Sequence, residues 1–244
     1  MSRILVVKTG TALDPIRSRR GDYEDWIVDG MGVARGDVDV VPVHEGASLP
    51  GPECPAGVVV TGSAAMVTSR EPWSERTAEW LADVARAGTF VLGICYGHQL
   101  LAHALGGRVG PNPSGREIGT VTMDRLPGAE ADPLLGVLED ASLVHNTHVE
   151  CVVELPPEAR RLAATRLDRN QAFAVGPRAW GVQFHPEFDA DVMRGYVDER
   201  AGELRREGLD PEALRDAVEE APGGTRLLRR FAALLPRELA GARD

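Results

Sequence analysis

The chain has 244 residues, of which 43% are hydrophobic and 26% charged, the balance of one large α/β domain or two small ones. Its formal net charge of −10 lacks the basic surplus typical of nucleic-acid-binding proteins. No apolar run approaches the length of a membrane span, and the first ten residues lack a signal-peptide cleavage pattern. Its three cysteines make no CxxC pair and no disulfide framework. We therefore expect a cytoplasmic protein that binds neither nucleic acid nor membrane.

The first half of the chain alternates between short buried strands and helices. Strands are predicted at residues 3–8, 37–43, 56–60 and 89–92, and helices at 23–32, 72–87 and from Tyr96 to a stop at Gly106. Residues 14–21 are predicted to form a polar loop near the carboxyl end of the first strand, where ligands bind in open parallel sheets. The alternation favours a doubly wound parallel sheet with helices on both faces.

The second half changes to consecutive strands and then to charged helices. Strands are predicted at residues 116–123, 141–144, 161–165, 172–175 and 179–184, and helices at 132–138, 192–207, 211–220 and 225–235. Breaks are expected at Gly208 and at residues 222–224. The strands are expected to extend the sheet with antiparallel pairs or to form a second small sheet. The simplest partition is one domain with a helical C-terminal tail.

A single cysteine lies where the fourth strand meets the following helix. Gly93 precedes Cys95 by two residues and Gly97 follows it by two. Glycines at these positions remove the side chains that would clash in the sharp, strained turn of a nucleophile elbow. The free N–H groups and positive dipole at the start of the helix, at Tyr96, favour a thiolate. The spacing predicts a catalytic nucleophile, and the structural alternative is a buried core cysteine.

A thiol nucleophile requires a base, and His185 is the favoured one. It closes a predicted strand, Pro186 follows it, and the Glu187 carboxylate is placed to accept a hydrogen bond from the imidazole. The residues thus predict a Cys-His-Glu triad. His98, on the same helix as Cys95, is a second candidate without an orienting carboxylate. The structural alternative for His185 is a strand-end histidine beside a solvated glutamate.

The negative charge that develops on an attacked carbonyl oxygen needs hydrogen-bond donors. The backbone N–H of Tyr96 is one donor by elbow geometry. A second is predicted in the turn at Gly62 and Ser63, where small residues allow close approach of the backbone. The alternative is an ordinary turn between a strand and a helix.

Residues 145–151 contain nitrogen, oxygen and sulfur ligands within seven positions. In a strand, His145 and His148 would face opposite sides, and no second cluster completes a ligand set. We therefore predict no metal site there. The sequence also contains no phosphate-binding loop that would bind ATP. No cofactor is predicted.

Taken together, five motifs resemble the class I glutamine amidotransferases, the Cys-His-Glu triad family, and especially the glutaminase domain of GMP synthetase and stand-alone proteins of that type. The matching motifs are VVVTGSAAM (58–66), GICYGHQLLAHALGG (93–107), REIG (116–119), THVE (147–150) and GVQFHPE (181–187). The resemblance covers roughly residues 1–190. It implies a flavodoxin-like three-layer α/β fold with a central, mainly parallel sheet and an antiparallel extension. Residues 191–244 would form a helical extension packed on the same domain.

The resemblance also implies an activity, the hydrolysis of the glutamine side-chain amide through a cysteinyl thioester. Cys95 would attack, the Ser63 and Tyr96 N–H groups would bind the oxyanion, and His185, oriented by Glu187, would protonate the departing ammonia. Substrate binding would involve Gly62, which shapes the oxyanion turn, Gln99, and the backbone of Thr147 and His148.

Three departures from the family pattern bear on function. Gly62-Ser63-Ala64 stands where the family has GGP, and THVE stands for SHGD, which leaves a longer carboxylate at Glu150. Residues 191–244 are too few for a synthase domain, so ammonia would pass to a separate synthase subunit or acceptor.

Two further functions stay open at this stage. A γ-glutamyl peptidase is the second hypothesis, because three arginines in residues 11–22 are candidates to bind an anionic leaving part; they are Arg17, Arg19 and Arg20. A non-catalytic regulatory or binding protein is the third, against which the intact triad argues. The sequence leaves the oligomeric state unassigned.

Overall fold

The computed structural model describes residues 3–236. Eleven strands and eight α-helices follow one another along this part of the chain. The strands are β1 (Ile4–Lys8), β2 (Val38–Pro42), β3 (Gly57–Val60), β4 (Phe90–Ile94), β5 (Arg108–Pro111), β6 (Glu117–Arg125), β7 (Ala141–His148), β8 (Glu150–Glu154), β9 (Arg160–Ala164), β10 (Ala172–Val175) and β11 (Ala179–Val182). The helices are α1 (Asp14–Arg20), α2 (Tyr23–Met31), α3 (Pro72–Arg86), α4 (Tyr96–Ala104), α5 (Ala190–Glu199), α6 (Ala201–Arg206), α7 (Pro211–Asp216) and α8 (Gly223–Leu234).

A nine-stranded sheet forms the centre, in the order β2-β1-β3-β4-β11-β10-β9-β6-β7. The strands from β2 to β11 run parallel, and those from β11 to β7 pair antiparallel. β5 and β8 form a separate antiparallel pair. Both outcomes expected for the second half of the chain therefore occur: the sheet is extended, and a small second sheet forms.

Helices cover both faces of the sheet, which makes three layers. Alternate residues of β1 enter different cores: Ile4 and Val6 face one side, and Leu5 and Val7 face the other. The first core is completed by apolar side chains of α2, α5 and α8, and the second by those of α3 and α4. The predicted doubly wound arrangement is confirmed.

Residues 14–21 do not form the predicted loop. They form α1, which begins with Asp14 and Pro15 in its first turn, a favourable start for a helix. Ile16 is buried in the first core. Ile16 is the one buried apolar side chain that anchors this helix. The residues around it are polar, so the sequence shows no repeating apolar pattern from which a helix could be predicted.

Several predicted C-terminal and connecting helices have different limits. Residues 132–138 contain only a 3-10 turn at Leu135–Val137, where Pro133 and Gly136 disfavour an α-helix. The predicted helix 192–207 is divided at Arg200 into α5 and α6, and α7 ends early, at Asp216. α8 begins at Gly223, inside the stretch predicted to be a break, since Pro222 takes the position before its first turn.

The C-terminal helix packs closely on the rest of the protein. A Cβ added at Gly30 of α2 would lie 2.5 Å from Leu228 of α8, so the two helices approach closely. A Cβ at Gly224 would overlap the backbone of Pro186. The start of α8 therefore supports the segment that follows β11. No helix within residues 3–236 is long and apolar enough to cross a membrane.

Candidate active site

Cys95 occupies a strained turn between β4 and α4. Its backbone has φ 51° and ψ −102°, a left-handed conformation that non-glycine residues rarely adopt. A Cβ at Gly93 would overlap the backbone of Gly97, and a Cβ at Gly97 would overlap the carbonyl of Val60. Both glycines are therefore required by close backbone contacts. The structure contains the sharp strand-to-helix turn that the GxCxG spacing predicts.

The neighbouring strand places His185 beside this turn. β4 and β11 are adjacent and parallel, and the Cys95 N–H donates to the Val182 carbonyl at 2.9 Å. Three residues after Val182, the His185 N–H donates to the carbonyl of His145 at 2.8 Å. Main-chain hydrogen bonds thus fix the backbone on both sides of the pair formed by Cys95 and His185.

Glu187 orients the His185 ring. Its Oε1 lies 2.7 Å from His185 Nδ1, and both side chains are buried. The ring of Phe188 stacks on the imidazole with centroids 4.1 Å apart, and a Cβ at Gly62 would lie 2.8 Å from His185 Cε1. The imidazole is therefore confined on its edge and on its face. We call Cys95, His185 and Glu187 the Cys95 cluster.

The charge state of His185 follows from these neighbours. Burial alone lowers the pKa of His185, but the Glu187 carboxylate and the Cys95 thiol outweigh burial and raise it above the usual value. Among the described residues, Nε2 has no partner that meets hydrogen-bond geometry. The protonated imidazole is thus stabilised next to the thiol, with one ring nitrogen open for a reacting group.

Two backbone amides near Cys95 are unused. Over residues 3–236, neither the Ser63 N–H nor the Tyr96 N–H donates a backbone hydrogen bond outside regular elements. Ser63 does not adopt a left-handed conformation, so a serine fits where the family pattern has glycine. Its Oγ turns away to accept from the Ala65 N–H at 3.1 Å. Both amides predicted to bind the oxyanion are available for this role.

A cleft of about 250 Å³ opens beside the thiol. Strand ends, the turn after β3 and the junction of α5 and α6 all contribute to its walls. The lining residues used below are Ser63, Cys95, Tyr96, Gln99, Arg116, Thr147, His148, Glu150, Arg200 and Glu203.

Three of the predicted substrate-binding residues, Gln99, Thr147 and His148, line this cleft, whereas Gly62 lies against the His185 ring. The polar groups of the three differ in availability. The Gln99 amide nitrogen donates to the Glu150 carbonyl at 2.8 Å and to Gln183 Oε1 at 3.0 Å. The His148 ring is buried, and its two nitrogens face the Glu150 carbonyl and Glu117. The Thr147 hydroxyl is buried without a protein partner in the described part of the chain. The structure therefore leaves the backbone of Thr147 and His148, rather than the histidine ring, to contact a ligand.

The carboxylate of Glu150 is also engaged. Its two oxygens accept from the hydroxyl and the backbone N–H of Thr68. The longer side chain at this position thus reaches the segment after β3, and this contact links the two sides of the cleft.

His98 and His145 have environments unlike that of His185. The His98 ring is fully buried against Phe173, with centroids 5.0 Å apart, and burial lowers the pKa of His98 to about 3. Burial lowers the pKa of His145 to about 4, and its Nδ1 lies 3.2 Å from the Thr120 hydroxyl. Neither residue lines the cleft. Of these three histidines, the structure brings only His185 to the thiol.

The histidines of residues 145–151, which the sequence offers as possible metal ligands, do not converge. His145 and His148 both belong to β7 and are three residues apart, so they face opposite sides of the strand. Throughout the described ranges, no group of three or more His, Cys, Asp or Glu side chains is arranged to bind a metal ion.

The three arginines of residues 11–22 are paired with aspartates and present no unpaired charge to the cleft. Arg19 pairs with Asp191, Arg20 pairs with Asp189 and Asp191, and Arg17 pairs with Asp14. The lining of the cleft includes none of the three arginines. The pairs of Arg19 and Arg20 attach α1 to the start of α5, and that of Arg17 lies within α1. The arginine-rich segment therefore does not support binding of an anionic leaving part.

Sequence analysis missed a buried carboxylate at the centre of the antiparallel strands. Both oxygens of Glu117 have side-chain partners: Oε1 accepts from Thr165 at 2.7 Å, Oε2 accepts from Asn146 at 3.0 Å and from Gln171 at 2.7 Å, and His148 Nε2 lies 3.2 Å from Oε2. We call these five residues the Glu117 cluster. The REIG motif drew attention to this position without indicating its partners, which come from three other segments.

Comparison with known proteins gives two kinds of similarity. A family model described as Glutamine amidotransferase class-I matches residues 21–197. A GMP synthase (glutamine-hydrolyzing) from Aeropyrum pernix is 40% identical over 132 residues, which are 54% of this chain and 24% of that protein. Gamma-glutamyl peptidase 3 from Arabidopsis thaliana is 30% identical over 149 residues, which are 58% of each chain. The chain thus spans about a quarter of the first relative and little more than half of the second.

Among solved structures, a glutamine amido transferase from Methylobacillus flagellatus superposes with a TM-score of 0.76. The superposition covers 96% of this chain and 93% of that one, at 22% sequence identity. At this identity the likeness concerns the fold, and it confirms the predicted flavodoxin-like architecture.

Proposed function

The chain belongs to the class I glutamine amidotransferase family, and we propose that it hydrolyses the glutamine side-chain amide to glutamate and ammonia. One observation carries this proposal: Cys95 lies on a strained elbow beside His185, and the Nδ1 atom of His185 lies 2.7 Å from Glu187 Oε1. This arrangement supplies a nucleophile, a proton carrier and an orienting carboxylate.

In the proposed first half-reaction, the Cys95 thiolate attacks the amide carbon. The carbonyl oxygen becomes an oxyanion, for which the backbone amides of Ser63 and Tyr96, two residues that line the cleft with Cys95, are the proposed donors. The His185 imidazolium donates its Nε2 proton to the amide nitrogen, the C–N bond breaks, and ammonia leaves. The γ-glutamyl group stays on sulfur as a thioester.

In the second half-reaction, a water molecule replaces ammonia. His185, now neutral, removes a proton from this water, which attacks the thioester carbonyl. The C–S bond breaks, glutamate leaves, and the proton on His185 restores the imidazolium–thiolate pair. The raised pKa of His185 favours this resting state, because Glu187 and Cys95 both stabilise the charged ring.

We propose that the ammonia is used by a separate synthase subunit or acceptor. The support is the similarity to a protein named as a glutamine-hydrolysing GMP synthase. The acceptor and the partner are proposals drawn from that relative's name.

γ-Glutamyl peptide hydrolysis is the second candidate, because a relative named gamma-glutamyl peptidase matches 58% of the chain. The acyl half of the substrate and every step on Cys95 would be the same. Only the leaving group would differ, an amino acid in place of ammonia.

The deciding experiment incubates the purified protein with glutamine and, separately, with a γ-glutamyl dipeptide. Ammonia, glutamate and released amino acid are measured for the wild type and for Cys95→Ala. Glutamine turnover that disappears in the variant supports the first proposal. Efficient dipeptide cleavage with negligible glutamine turnover would replace it with the second. No turnover and no labelling of Cys95 by a glutamine-like electrophile would favour a non-catalytic protein.

A further inference from the structure

Arg200 brings a positive charge into the cleft from the C-terminal part of the chain. It lies at the junction of α5 and α6, three residues beyond the segment that the family model matches. It lines the cleft together with Cys95, Ser63 and Thr147. It also lines a neighbouring cavity of about 10 Å³, here called the extension, which shares Cys95 with the cleft and is lined by His185 and Tyr196 as well. The family motifs do not account for a cation at this place.

The guanidinium of Arg200 has unused donors. Nη1 donates to Glu203 at 3.1 Å, and this is its one side-chain partner in the described part of the chain. Nε is buried without a partner. An arginine that forms one hydrogen bond retains donors for a second carboxylate.

Arg116, the other arginine of the cleft, is a useful contrast. It donates to Glu203 at 3.1 Å and to both oxygens of Glu207 at 2.8 Å. Two carboxylates therefore hold Arg116, through its Nε and Nη2, whereas Arg200 shares only one of them. Of the two arginines that line the cleft, Arg200 has fewer carboxylate partners and is the one that also lines the space beside His185.

Arg200 lies on the same side of the scissile bond as the leaving group. Gln99 and Glu150 line the main cleft only, while His185 and Arg200 both line the extension next to Cys95. His185 is the proposed donor to the leaving nitrogen, so the leaving group must lie on the His185 side. The extension, at about 10 Å³, is too small for a substituent on that nitrogen, which would therefore turn into the main cleft, where Arg200 also forms part of the wall.

We propose that Arg200 is a specificity-determining residue that binds the carboxylate of an amino-acid leaving group, so that γ-glutamyl amino acids are substrates. The inference rests on the thioester chemistry of the proposed function. The bond broken is the amide between the γ-carbonyl and the amino acid nitrogen, which takes its proton from His185. One water is consumed, and glutamate and a free amino acid are the products.

The test uses a ratio measured within each protein. For the wild type and Arg200→Met, kcat/KM is measured for γ-glutamylalanine and for γ-glutamylalanine amide, which lacks the terminal carboxylate. We expect the acid-to-amide ratio to fall by about 10- to 100-fold in the variant, the effect of one charge-assisted hydrogen bond. A general loss of folding or of active sites changes both substrates alike and cancels in the ratio.

Arg206→Met is the matched control, since Arg206 is exposed on α6 and lines no part of the cleft. It should leave the acid-to-amide ratio unchanged. An unchanged ratio in Arg200→Met, an equal fall in both arginine variants, or glutamine turnover without any cleavage of γ-glutamylalanine would each overturn the inference while the proposed glutaminase function stands.

Binding separates failure of this inference from failure of the proposed function. In Cys95→Ala, titration calorimetry should show tighter binding of γ-glutamylalanine than of its amide, a preference removed by adding Arg200→Met. If the wild type turns over no γ-glutamyl compound, the proposed function fails, and this binding preference still decides the role of Arg200. Equal binding of acid and amide would overturn it.

Discussion

The Cys95 cluster and the Glu117 cluster are both buried networks built on a carboxylate and a histidine, but they differ in what they leave open. In the Cys95 cluster, His185 Nε2 and Glu187 Oε2 have no partner within residues 3–236. In the Glu117 cluster, both carboxylate oxygens accept side-chain hydrogen bonds, and the buried atoms without a partner in the described residues are the amide oxygens of Asn146 and Gln171. An unsatisfied group in a buried site is costly and available for chemistry, whereas a satisfied carboxylate fixes structure. The comparison separates the part of the molecule that reacts from the part that positions.

The largest expected effect is on the nucleophile. Cys95→Ala should lower glutamine hydrolysis by at least about 10⁴-fold, because thioester formation needs the sulfur. The change in unfolding free energy should be no more than about 1 kcal/mol, measured by chemical denaturation.

Cys151→Ala is the matched control for the nucleophile. Cys151 is also buried, but it lies outside the cleft, and burial raises the pKa of its thiol to about 12. Its removal should preserve turnover. Residual activity of Cys95→Ala close to the wild-type rate would contradict the assigned role.

The next effect concerns the orienting carboxylate. Glu187→Gln should lower kcat by about 10²- to 10⁴-fold, since the imidazole loses the partner that fixes its tautomer. The Glu187 carboxylate raises the pKa of His185, so the variant should lose its imidazolium at lower pH. The alkaline limb of the kcat–pH profile should therefore move toward lower pH.

Asp189→Asn tests whether this effect is specific. Asp189 is two residues from Glu187 and pairs with Arg20 rather than with His185. Its substitution should leave the alkaline limb of the kcat–pH profile in place. An equal shift of the alkaline limb in both variants would mean that the overall negative charge near the site, rather than the Glu187 contact, sets the pKa of His185.

A smaller effect on activity and a clear effect on stability are expected from the Glu117 cluster. Glu117→Gln places an amide N–H₂ among side chains that already donate, so the unfolding free energy should fall by about 2–4 kcal/mol. The kcat should change far less than in Glu187→Gln, and KM should rise because His148 loses its anchor.

The control for Glu117 is Glu79→Gln on the exposed face of α3, with an expected change below about 0.5 kcal/mol. A loss of kcat in Glu117→Gln as large as that of Glu187→Gln, at unchanged stability, would remove the distinction between the two clusters.

The smallest effect concerns His98, a buried histidine that belongs to neither cluster. Its pKa is lowered to about 3, so the unfolded chain takes up a proton below pH 6.5 that the folded protein excludes. This difference should reduce the unfolding free energy by about 2 kcal/mol between pH 7 and pH 5.

Denaturation of His98→Gln at both pH values measures this contribution, which should be absent in the variant. His185 has the opposite sign: its raised pKa stabilises the folded state at low and neutral pH, and this contribution is lost as pH rises. An identical acid dependence in His98→Gln and the wild type would show that His98 is protonated in the fold.

The two clusters also mark how far the sequence could predict the site. Gly93, Cys95 and Gly97 lie within five residues, and His185 and Glu187 within three, so local spacing carries their geometry. The partners of Glu117 are 29, 31, 48 and 54 residues away. Only the pairing of β6 with β7 and β9 brings them together, and no local pattern indicates it.

The helices and strands, like the site, could be predicted where the pattern that indicates them is local in the sequence. The strongly periodic α2 and α3 and the apolar parallel strands were predicted because each shows a repeating pattern in its own sequence. The sequence did not predict α1, because Ile16 is its one buried apolar residue. It also did not predict the β5–β8 pair, because a strand that contains glycine and proline shows little of the usual strand pattern. Arg200 was missed because its position depends on where a long predicted helix is divided.

The hydrogen-bonded register between β4 and β11 has a consequence for sequence divergence. The separation of the thiol and the imidazole is set by main-chain atoms, since Ile94 pairs with Val182 and the Cys95 N–H binds the Val182 carbonyl. Apolar side chains along these two strands are therefore free to exchange for others of similar volume without moving the reactive atoms. Substitutions in the walls of the cleft can then alter substrate preference while the reactive geometry is inherited unchanged.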